Sequence, residues 1–419
     1  MSEPDESTWR PVVTDPERRE QILAILREID AAVMPWPIEE RELEGFSDRA
    51  VMRTYLAQDG TIADDERAGE LLAQLVTRFG QGGYPACLFG GAARVSWTVA
   101  HLAGGETADE ACRAIATALR ARLTEDPWVS DYDLIIGLVG MGVCALERSD
   151  HEDGRQLSAR VLEVLEATAQ ERGGGAAWLT SPELLPEWQR AISPGGYYNL
   201  GLAHGIPGVV ALLARMVAHD VETPRARALL ERAMTFMLNA EPPRERGRFP
   251  SWHQAGEVGP GHERELGSTR LAWCYGDLGA SVALLSAAQA TANDEWRTQA
   301  VDLARLCAGR TIAEAVVHDA GICHGAGGAA HIFNRLWHAT GEEIFADAAR
   351  RWIDQLLAMR IDHAIAGFPS ADRLDGQTSW KADDSLLTGA VGVALVLHAA
   401  VSTVEPSWDR LLLVDVATA

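Results

Sequence analysis

Two kinds of helical segment alternate along the chain. In the first kind, apolar residues recur every three or four positions, which gives one apolar face and one polar face. The segment 223–237 shows this pattern, with Thr223 as a possible N-cap and Pro224 in the first turn. Its apolar face is formed by Ala226, Leu229, Leu230, Ala233 and Met237. Because alternating β-branched runs are few, the pattern predicts an all-α protein.

The second kind of segment is apolar nearly all round, is rich in alanine, and opens with Gly-x-x-Gly or a near match. Six such openings occur, at residues 89–93, 136–140, 204–208, 275–279, 324–328 and 388–392. In the first of them, aligned on Gly90, Ala93 replaces the second glycine. Six copies of one motif are an internal repeat. Helices that are apolar all round must be buried, and one-sided helices can cover them.

The spacing of the copies favours a closed ring over an open solenoid. The intervals between first glycines are 47, 68, 71, 49 and 64 residues, too irregular for uniform repeats but suited to connections that carry insertions. We therefore predict an α/α barrel, with inner Gly-x-x-Gly helices inside outer amphipathic helices. It would form a single domain over residues 1–419, with the motifs between about 84 and 400. Two Gly- and Pro-containing stretches, 241–268 and 365–384, are expected to be long loops with short strands at most.

Composition and charge narrow the possible environments and partners. The chain is 47% apolar and carries a formal net charge of −23, so its field repels nucleic acid and anionic membranes. No apolar run approaches the length of about 20 residues that spans a bilayer, and the acidic start does not resemble a signal peptide. Six scattered cysteines fit a reducing compartment. These features together predict a cytoplasmic protein.

When the copies are aligned on their first glycine, the candidate reactive residues fall at the two positions that precede it. The fourth copy places Cys274 there, the fifth places Cys323 and His324, and the third places His204. Two cysteines and one histidine with an open fourth position are the ligand pattern of catalytic zinc, so we predict that Cys274, Cys323 and His324 bind Zn²⁺. The alternative is that both cysteines are ordinary buried residues. That interpretation is given to the four unaligned cysteines, Cys87, Cys112, Cys144 and Cys307.

His204 stands where His324 stands in another copy, but no cysteine precedes it. We therefore interpret His204 as an acid–base group at the same rim and not as a metal ligand. A histidine that only packs in the core is the alternative.

Several of these segments resemble the lanthionine synthetase C-like family. They are residues 199–208 (Asn-Leu-Gly-Leu-Ala-His-Gly-Ile-Pro-Gly), 270–276 (Arg-Leu-Ala-Trp-Cys-Tyr-Gly), 323–325 (Cys-His-Gly) and 132–137 (Tyr-Asp-Leu-Ile-Ile-Gly). The resemblance implies a double ring of helices and, for free-standing bacterial members, a peptide cyclase. It also implies that Cys274, Cys323 and His324 are zinc ligands.

The same resemblance assigns catalytic roles to four residues, His204, Asp133, Arg270 and Tyr275. Asp131 lies close enough to compete with Asp133, but the Tyr-Asp-Leu-Ile context favours Asp133. In the implied reaction a cysteine thiol, made a thiolate by zinc, adds to the β-carbon of dehydroalanine or dehydrobutyrine. His204 would protonate the resulting enolate with Asp133 orienting it, and Arg270 would stabilise the enolate oxygen. Tyr275 would donate a hydrogen bond or orient the substrate.

The implied partner is a dehydrated precursor peptide with leader and core, together with the dehydratase and exporter of the same pathway. Three alternatives stay open at this point. The chain could add glutathione to dehydroamino acids, or be a zinc-dependent protein prenyltransferase subunit, although the zinc set of the latter contains an aspartate. It could also be a non-catalytic helical scaffold for peptides, which would need a fourth protein ligand on the zinc. The substrate peptide, its ring pattern and stereochemistry, the leader-binding surface and the oligomeric state cannot be read from the sequence.

Overall fold

The computed structural model describes residues 9–38, 42–124, 127–240, 248–256, 270–362, 364–374 and 377–418. Within these ranges the chain forms sixteen α-helices and three two-stranded antiparallel sheets. The helices are α1 (Pro16–Val33), α2 (Glu44–Gln58), α3 (Arg67–Phe79), α4 (Ala92–Leu102), α5 (Glu106–Arg122), α6 (Leu138–Leu146), α7 (Glu152–Thr168), α8 (Glu187–Ile192), α9 (Ile206–Ala218), α10 (Thr223–Ala240), α11 (Asp277–Thr291), α12 (Asp294–Ala308), α13 (Ile312–Ala315), α14 (Ala326–Thr340), α15 (Glu343–Ala358) and α16 (Ala390–Val401). The strands are β1 (Gln170–Arg172), β2 (Gly175–Ala177), β3 (Tyr197–Asn199), β4 (Trp252–Gln254), β5 (Ser370–Leu374) and β6 (Gln377–Lys381).

The helices pack in pairs of one buried and one amphipathic member, in two compact units. The first unit comprises the described parts of 1–81, 311–409 and 415–419, and the second those of 82–310 and 410–414. In the second unit the buried helices α4, α6, α9 and α11 lie side by side, and each is covered by the helix that follows it: α5, α7, α10 and α12. In the first unit α14, α16 and α2 lie side by side, covered by α15, α1 and α3.

The helix α2 is a buried member that the glycine motif did not predict. It lies beside α16, although its sequence opens without Gly-x-x-Gly and carries several charges. Those charges are paired: the Asp48 carboxylate accepts a hydrogen bond from the backbone N–H of Leu386, and Arg49 forms an ion pair with Asp384 at 2.5 Å. Because these buried charges have partners, α2 can be buried without the apolar surface that identifies the other inner helices.

The glycines of the motif fold the preceding turn back onto the start of each inner helix. The first glycine is the N-cap of five of these helices: Gly137, Gly205, Gly276, Gly325 and Gly389. A side chain at the second glycine would overlap the carbonyl oxygen six residues earlier; the five pairs are Gly140 with Leu134, Gly208 with Leu202, Gly279 with Trp273, Gly328 with Ile322 and Gly392 with Leu386. The motif is therefore a requirement of local backbone packing.

The first copy is shifted by one residue from the alignment predicted from the sequence. Gly91, not Gly90, is the N-cap of α4, and a side chain there would overlap the carbonyl oxygen of Pro85. Gly90 has a φ of 85°, so the turn uses an additional glycine for its left-handed conformation. Arg94, and not Ala93, therefore occupies the place of the second glycine.

Substituting the second glycine should destabilise the fold. In Gly328→Ala the new methyl group overlaps the Ile322 carbonyl, which cannot move without shifting the turn. We expect the free energy of unfolding to fall by about 1–3 kcal/mol, as for an overpacked core. In the matched control Gly69→Ala, within α3, nothing lies near the added methyl group, and stability should rise by about 0.5–1 kcal/mol. Denaturant unfolding of both variants tests the difference in sign.

Excursions between the helix pairs carry all six strands. The expected insertion at 365–384 contains a 3₁₀ turn and the hairpin β5–β6. Of the expected insertion at 241–268, residues 241–247 and 257–268 lie outside the described residues, and the rest contributes β4, which pairs with β3. A third excursion, residues 170–199 between α7 and α9, was not predicted, although Gly173–Gly175, Pro182 and Pro186 mark it. No helix among the described residues is long and apolar enough to span a membrane.

Candidate active site

Backbone hydrogen bonds join the turns that precede neighbouring inner helices. The N–H of Leu134 donates to the carbonyl of Ala203, and the N–H of Ala203 donates to that of Cys274. In the other unit, the N–H groups of Ile322 and Cys323 both donate to Leu387. Because each turn carries its candidate residue next to the bonded position, these bonds bring Asp133, His204 and Tyr275 to one place.

His204 and Asp133 form a close ion pair. Nδ1 of His204 lies 2.6 Å from Oδ2 of Asp133, while Oδ1 accepts a hydrogen bond of 2.8 Å from the backbone N–H of Ile136. The Asp133 carboxylate is buried, whereas the His204 side chain is 40% exposed. With Nδ1 held by Asp133, Nε2 is the ring nitrogen available for chemistry. The structure thus places the two side chains in contact, and their catalytic roles stay a prediction.

Opposing influences act on the pKa of His204. Burial alone would lower it, but the hydrogen bond and charge of Asp133 raise it, with smaller contributions from Cys274 and Asp131. The net result is a pKa above the ordinary value for histidine. The imidazole therefore keeps its proton to higher pH than a free histidine, which suits a proton donor.

Asp131 lines the same cleft as Asp133. Both aspartates that the sequence analysis considered for the catalytic role therefore lie at this site. Burial, followed by repulsion from Asp133, raises the pKa of Asp131 to about 6. The two carboxyls therefore differ, because Asp133 is hydrogen-bonded to His204 whereas Asp131 titrates near neutrality.

Tyr275 lies against His204, with ring centroids 5.9 Å apart and planes 27° from parallel. Its hydroxyl oxygen accepts a hydrogen bond of 3.3 Å from the Asn199 amide, whose own oxygen accepts from the N–H of Gly201. A side chain at Gly201 would overlap both the Cys274 carbonyl and the Tyr275 ring. Asn199 therefore positions Tyr275, a role that the sequence analysis did not assign although Asn199 opens one of the quoted motifs.

Cys274, Cys323 and His324 form the candidate metal centre. One potential ligand atom from each lies within 4.8 Å of the other two, and among the described residues no other set of three cysteine, histidine or acidic side chains does so. Cys274 is buried, whereas Cys323 and His324 are half-buried. Nε2 of His324 also lies 3.8 Å from the buried carboxylate of Asp319. This separation is too long for a hydrogen bond, and both Asp319 oxygens accept from backbone N–H groups, those of Gly321 and Ala371.

The four unaligned cysteines are buried single thiols, as predicted. Cys87 donates to the carbonyl of Phe89, and Cys112 to that of Ser96. Burial raises the pKa of the Cys144 thiol to about 12, and it also raises the pKa of Cys112 and Cys307. These thiols are therefore poor candidates for metal ligands or nucleophiles.

Arg270 is the one predicted site residue that the structure does not connect to the others. It is half-buried, and it is neither among the residues that line the cleft nor among the three of the candidate metal centre. Its preceding residue lies outside the described part of the chain. The assignment of Arg270 stays a prediction.

His204 and Tyr275 open into a cleft of about 260 Å³ within the second unit. Its lining includes the polar residues Asp131, Asp133 and Asn199 and apolar residues such as Ile136 and Leu184. A larger cavity of about 800 Å³ lies between α1, α2 and α3 in the first unit, but none of the predicted site residues lines it. The small cleft is therefore the candidate substrate site.

Comparisons with known proteins identify the family and the fold. A family model described as "Lanthionine synthetase C-like protein" matches residues 50–413. The nisin biosynthesis protein NisC of Lactococcus lactis subsp. lactis is 25% identical over 298 residues, which cover 67% of this chain and 70% of that protein. The solved structure of a nisin cyclase superposes with a TM-score of 0.69 at 20% identity, covering 95% of this chain and 97% of that one. The predicted all-α, α/α-barrel fold is thereby confirmed.

Proposed function

Because the chain belongs to the lanthionine synthetase C-like family, we propose that it closes thioether rings in a ribosomally made peptide by adding cysteine thiols to dehydroalanine or dehydrobutyrine. The observation that carries the proposal is the His204–Asp133 pair, which forms a proton donor in the cleft. Tyr275, which lines the same cleft, is the next residue in sequence after the candidate metal ligand Cys274. The reaction needs those two components, an activated thiol and an acid.

The donor set fits zinc. Two thiolates and one imidazole are the ligand types that zinc prefers, and three protein ligands leave one position for a substrate, as catalytic sites do. Cys274, Cys323 and His324 would hold the ion, with the Asp319 carboxylate 3.8 Å from His324. Bound zinc would lower the pKa of a coordinated cysteine thiol so that it is a thiolate at neutral pH.

The protein side chains would handle the proton and the developing charge. When a thiolate adds to the β-carbon, an enolate forms, and its α-carbon takes a proton to complete the thioether. His204 donates that proton from Nε2, while Asp133 holds Nδ1 and stabilises the imidazolium before transfer. Tyr275 orients the substrate, and Arg270, following the family resemblance, stabilises the enolate oxygen.

The proposal includes partners and location. The substrate is a dehydrated precursor peptide with leader and core, so a dehydratase acts before this protein and an exporter after it. One cyclase domain covers residues 1–419 and works in the cytoplasm. The extent of the family match, residues 50–413, supports the single domain.

Mass spectrometry of a dehydrated precursor peptide tests the function. Ring closure does not change the mass of the peptide, so remaining thiols are alkylated after incubation and counted by their added mass. We expect fewer alkylated thiols with the protein than without it. Undiminished thiol counts would contradict the proposal, and if glutathione is also present, a peptide with glutathione added would favour the glutathione-adding activity instead.

The raised pKa of His204 predicts how the rate depends on pH. The acid form is present below that pKa and is lost as pH rises through it, so ring closure should slow on the alkaline side. Asp133→Asn removes the carboxylate that raises the pKa of His204, and burial then lowers that pKa. The alkaline decline in rate should therefore begin at lower pH. Initial rates across a pH series test this shift. An unchanged alkaline limb in Asp133→Asn would show that another group donates the proton.

A further inference from the structure

The cleft beside His204 has an apolar wall that the reaction itself does not require. The wall consists of Ile135, Ile136, Leu184, Leu185 and Pro186, which line the cleft together with the polar residues that serve the chemistry. The cleft volume of about 260 Å³ lies below the range of about 300–1,000 Å³ that is typical of small-molecule pockets. Such a space suits one or two side chains of an extended peptide.

Ile136 occupies the position that carries chemistry in other copies of the repeat. It directly precedes the N-cap glycine, as do His204, Tyr275 and His324. Its side chain is 52% exposed, and its backbone N–H donates to the carboxylate that holds His204. Because Ile136 binds Asp133 and Asp133 binds His204, the exposed isoleucine is fixed in place relative to the proton donor.

The unpredicted excursion 170–199 supplies the rest of the wall. Thr180 and Tyr197 exchange backbone hydrogen bonds of 2.9 and 3.1 Å, which close the second part of the excursion, residues 180–197. The Tyr197 hydroxyl donates to Gln189 at 3.0 Å and so ties α8 to β3. Between these ties lies the segment that contains Leu184, so the wall is held against the cleft by several bonds.

We propose that this wall receives an apolar side chain of the substrate peptide next to the dehydroamino acid under attack, so that the protein prefers peptides with an aliphatic or aromatic residue beside that position. The inference rests on the proposed cyclase function. Successive residues of an extended peptide are about 3.3–3.6 Å apart, so a dehydroamino acid at His204 places its neighbour along the cleft. Acidic neighbours are disfavoured, because Asp131 and Asp133 line the same space.

Synthetic peptides test the preference directly. Each carries one dehydroalanine and one downstream cysteine, and the residue before or after the dehydroalanine is leucine, alanine or aspartate. After subtraction of the uncatalysed rate, we expect kcat/KM for leucine to exceed that for alanine by about tenfold on at least one side, with aspartate the slowest. Equal values for leucine and alanine on both sides would overturn the proposal.

A matched pair of variants locates the effect. Ile136→Thr keeps the branch at Cβ but replaces the ethyl group with a hydroxyl, and it should reduce the leucine preference to near unity. Ile344→Thr makes the same change on α15, at a residue that is 44% exposed and belongs to the other unit, and it should keep the wild-type preference. A leucine preference that persists in Ile136→Thr would place the selectivity elsewhere and overturn the proposal.

Binding measurements separate this inference from the proposed function. The same peptides, with alanine in place of dehydroalanine and serine in place of cysteine, cannot react, and their Kd values can be measured by calorimetry. Leucine peptides should bind about tenfold more tightly than alanine peptides, and Ile136→Thr should remove that difference. If such binding occurs but no peptide is cyclised, the wall is supported and the cyclase proposal fails. If ring closure occurs without any apolar preference in rate or binding, the wall fails alone.

Discussion

Replacing His204 with alanine is expected to slow ring closure by about 10²- to 10⁴-fold, the contribution of a general acid–base group. The reason is that Nε2 of His204 is the available donor in the cleft, whereas Asp133 is committed as its carboxylate partner. The variant should keep bound metal, because His204 is not one of the clustered ligand atoms. Free-thiol counting by alkylation gives the rate, and elemental analysis gives the metal content.

The matched control is His219→Ala. His219 is the C-cap of α9, the helix whose N-terminus follows His204, so about 20 Å of helix separates the two positions. His219→Ala should cyclise at the wild-type rate. If His204→Ala also does so with its metal intact, the proton comes from elsewhere, and Tyr275 becomes the better candidate because its ring lies against His204.

Removing any one of the three clustered ligands should abolish both metal binding and ring closure. We expect one zinc per chain in the wild type and a large loss of zinc in Cys274→Ala, Cys323→Ala and His324→Ala, because two protein ligands hold the ion poorly. Elemental analysis after dialysis measures the content. The thermal unfolding temperature should rise on adding zinc to stripped wild type but not to the variants, which gives a readout independent of activity.

Cys112→Ala and Cys307→Ala are the controls, since both thiols are buried and lie outside the cluster. Both variants should retain stoichiometric zinc. Stoichiometric zinc in all three ligand variants would refute the assignment of the metal centre. A fourth protein ligand found by spectroscopy of the zinc-loaded protein would favour a structural ion and a non-catalytic scaffold.

The repeat carried most of what the sequence could predict. A side chain at the second glycine would overlap a backbone carbonyl of its own copy. The requirement for glycine is therefore local, and the sequence shows it in each copy that has this glycine. Aligning the copies then placed His204, Cys274 and Cys323 on equivalent turns, and their turns are the ones that the structure joins or clusters. The inner helix α2 escaped because its burial depends on pairing Arg49 with Asp384, 335 residues away in sequence.

The parts that were missed depend on contacts between distant segments. Asn199 positions Tyr275 across 76 residues, and nothing at either position alone indicates the hydrogen bond. The excursion 170–199 has the Gly and Pro residues of a loop, but only the bridge between Thr180 and Tyr197 turns it into a wall of the cleft. The first copy was misaligned because Gly90 and Gly91 are adjacent, and only the backbone conformation decides which one caps the helix.

Within each turn, the residues that shape the backbone differ from the residue that can carry chemistry, and this separation affects how such a protein can acquire a new activity. The glycines serve the backbone, and the residue just before the N-cap glycine varies among copies as Ile136, His204, Tyr275, His324 and Thr388. Saturation mutagenesis should therefore find glycine positions intolerant for folding and these preceding positions permissive for folding. For protein engineering, each of these side chains can therefore be changed separately from the others. A metal ligand or an acid can be introduced at Ile136 or Thr388 without redesign of the helices that support these positions.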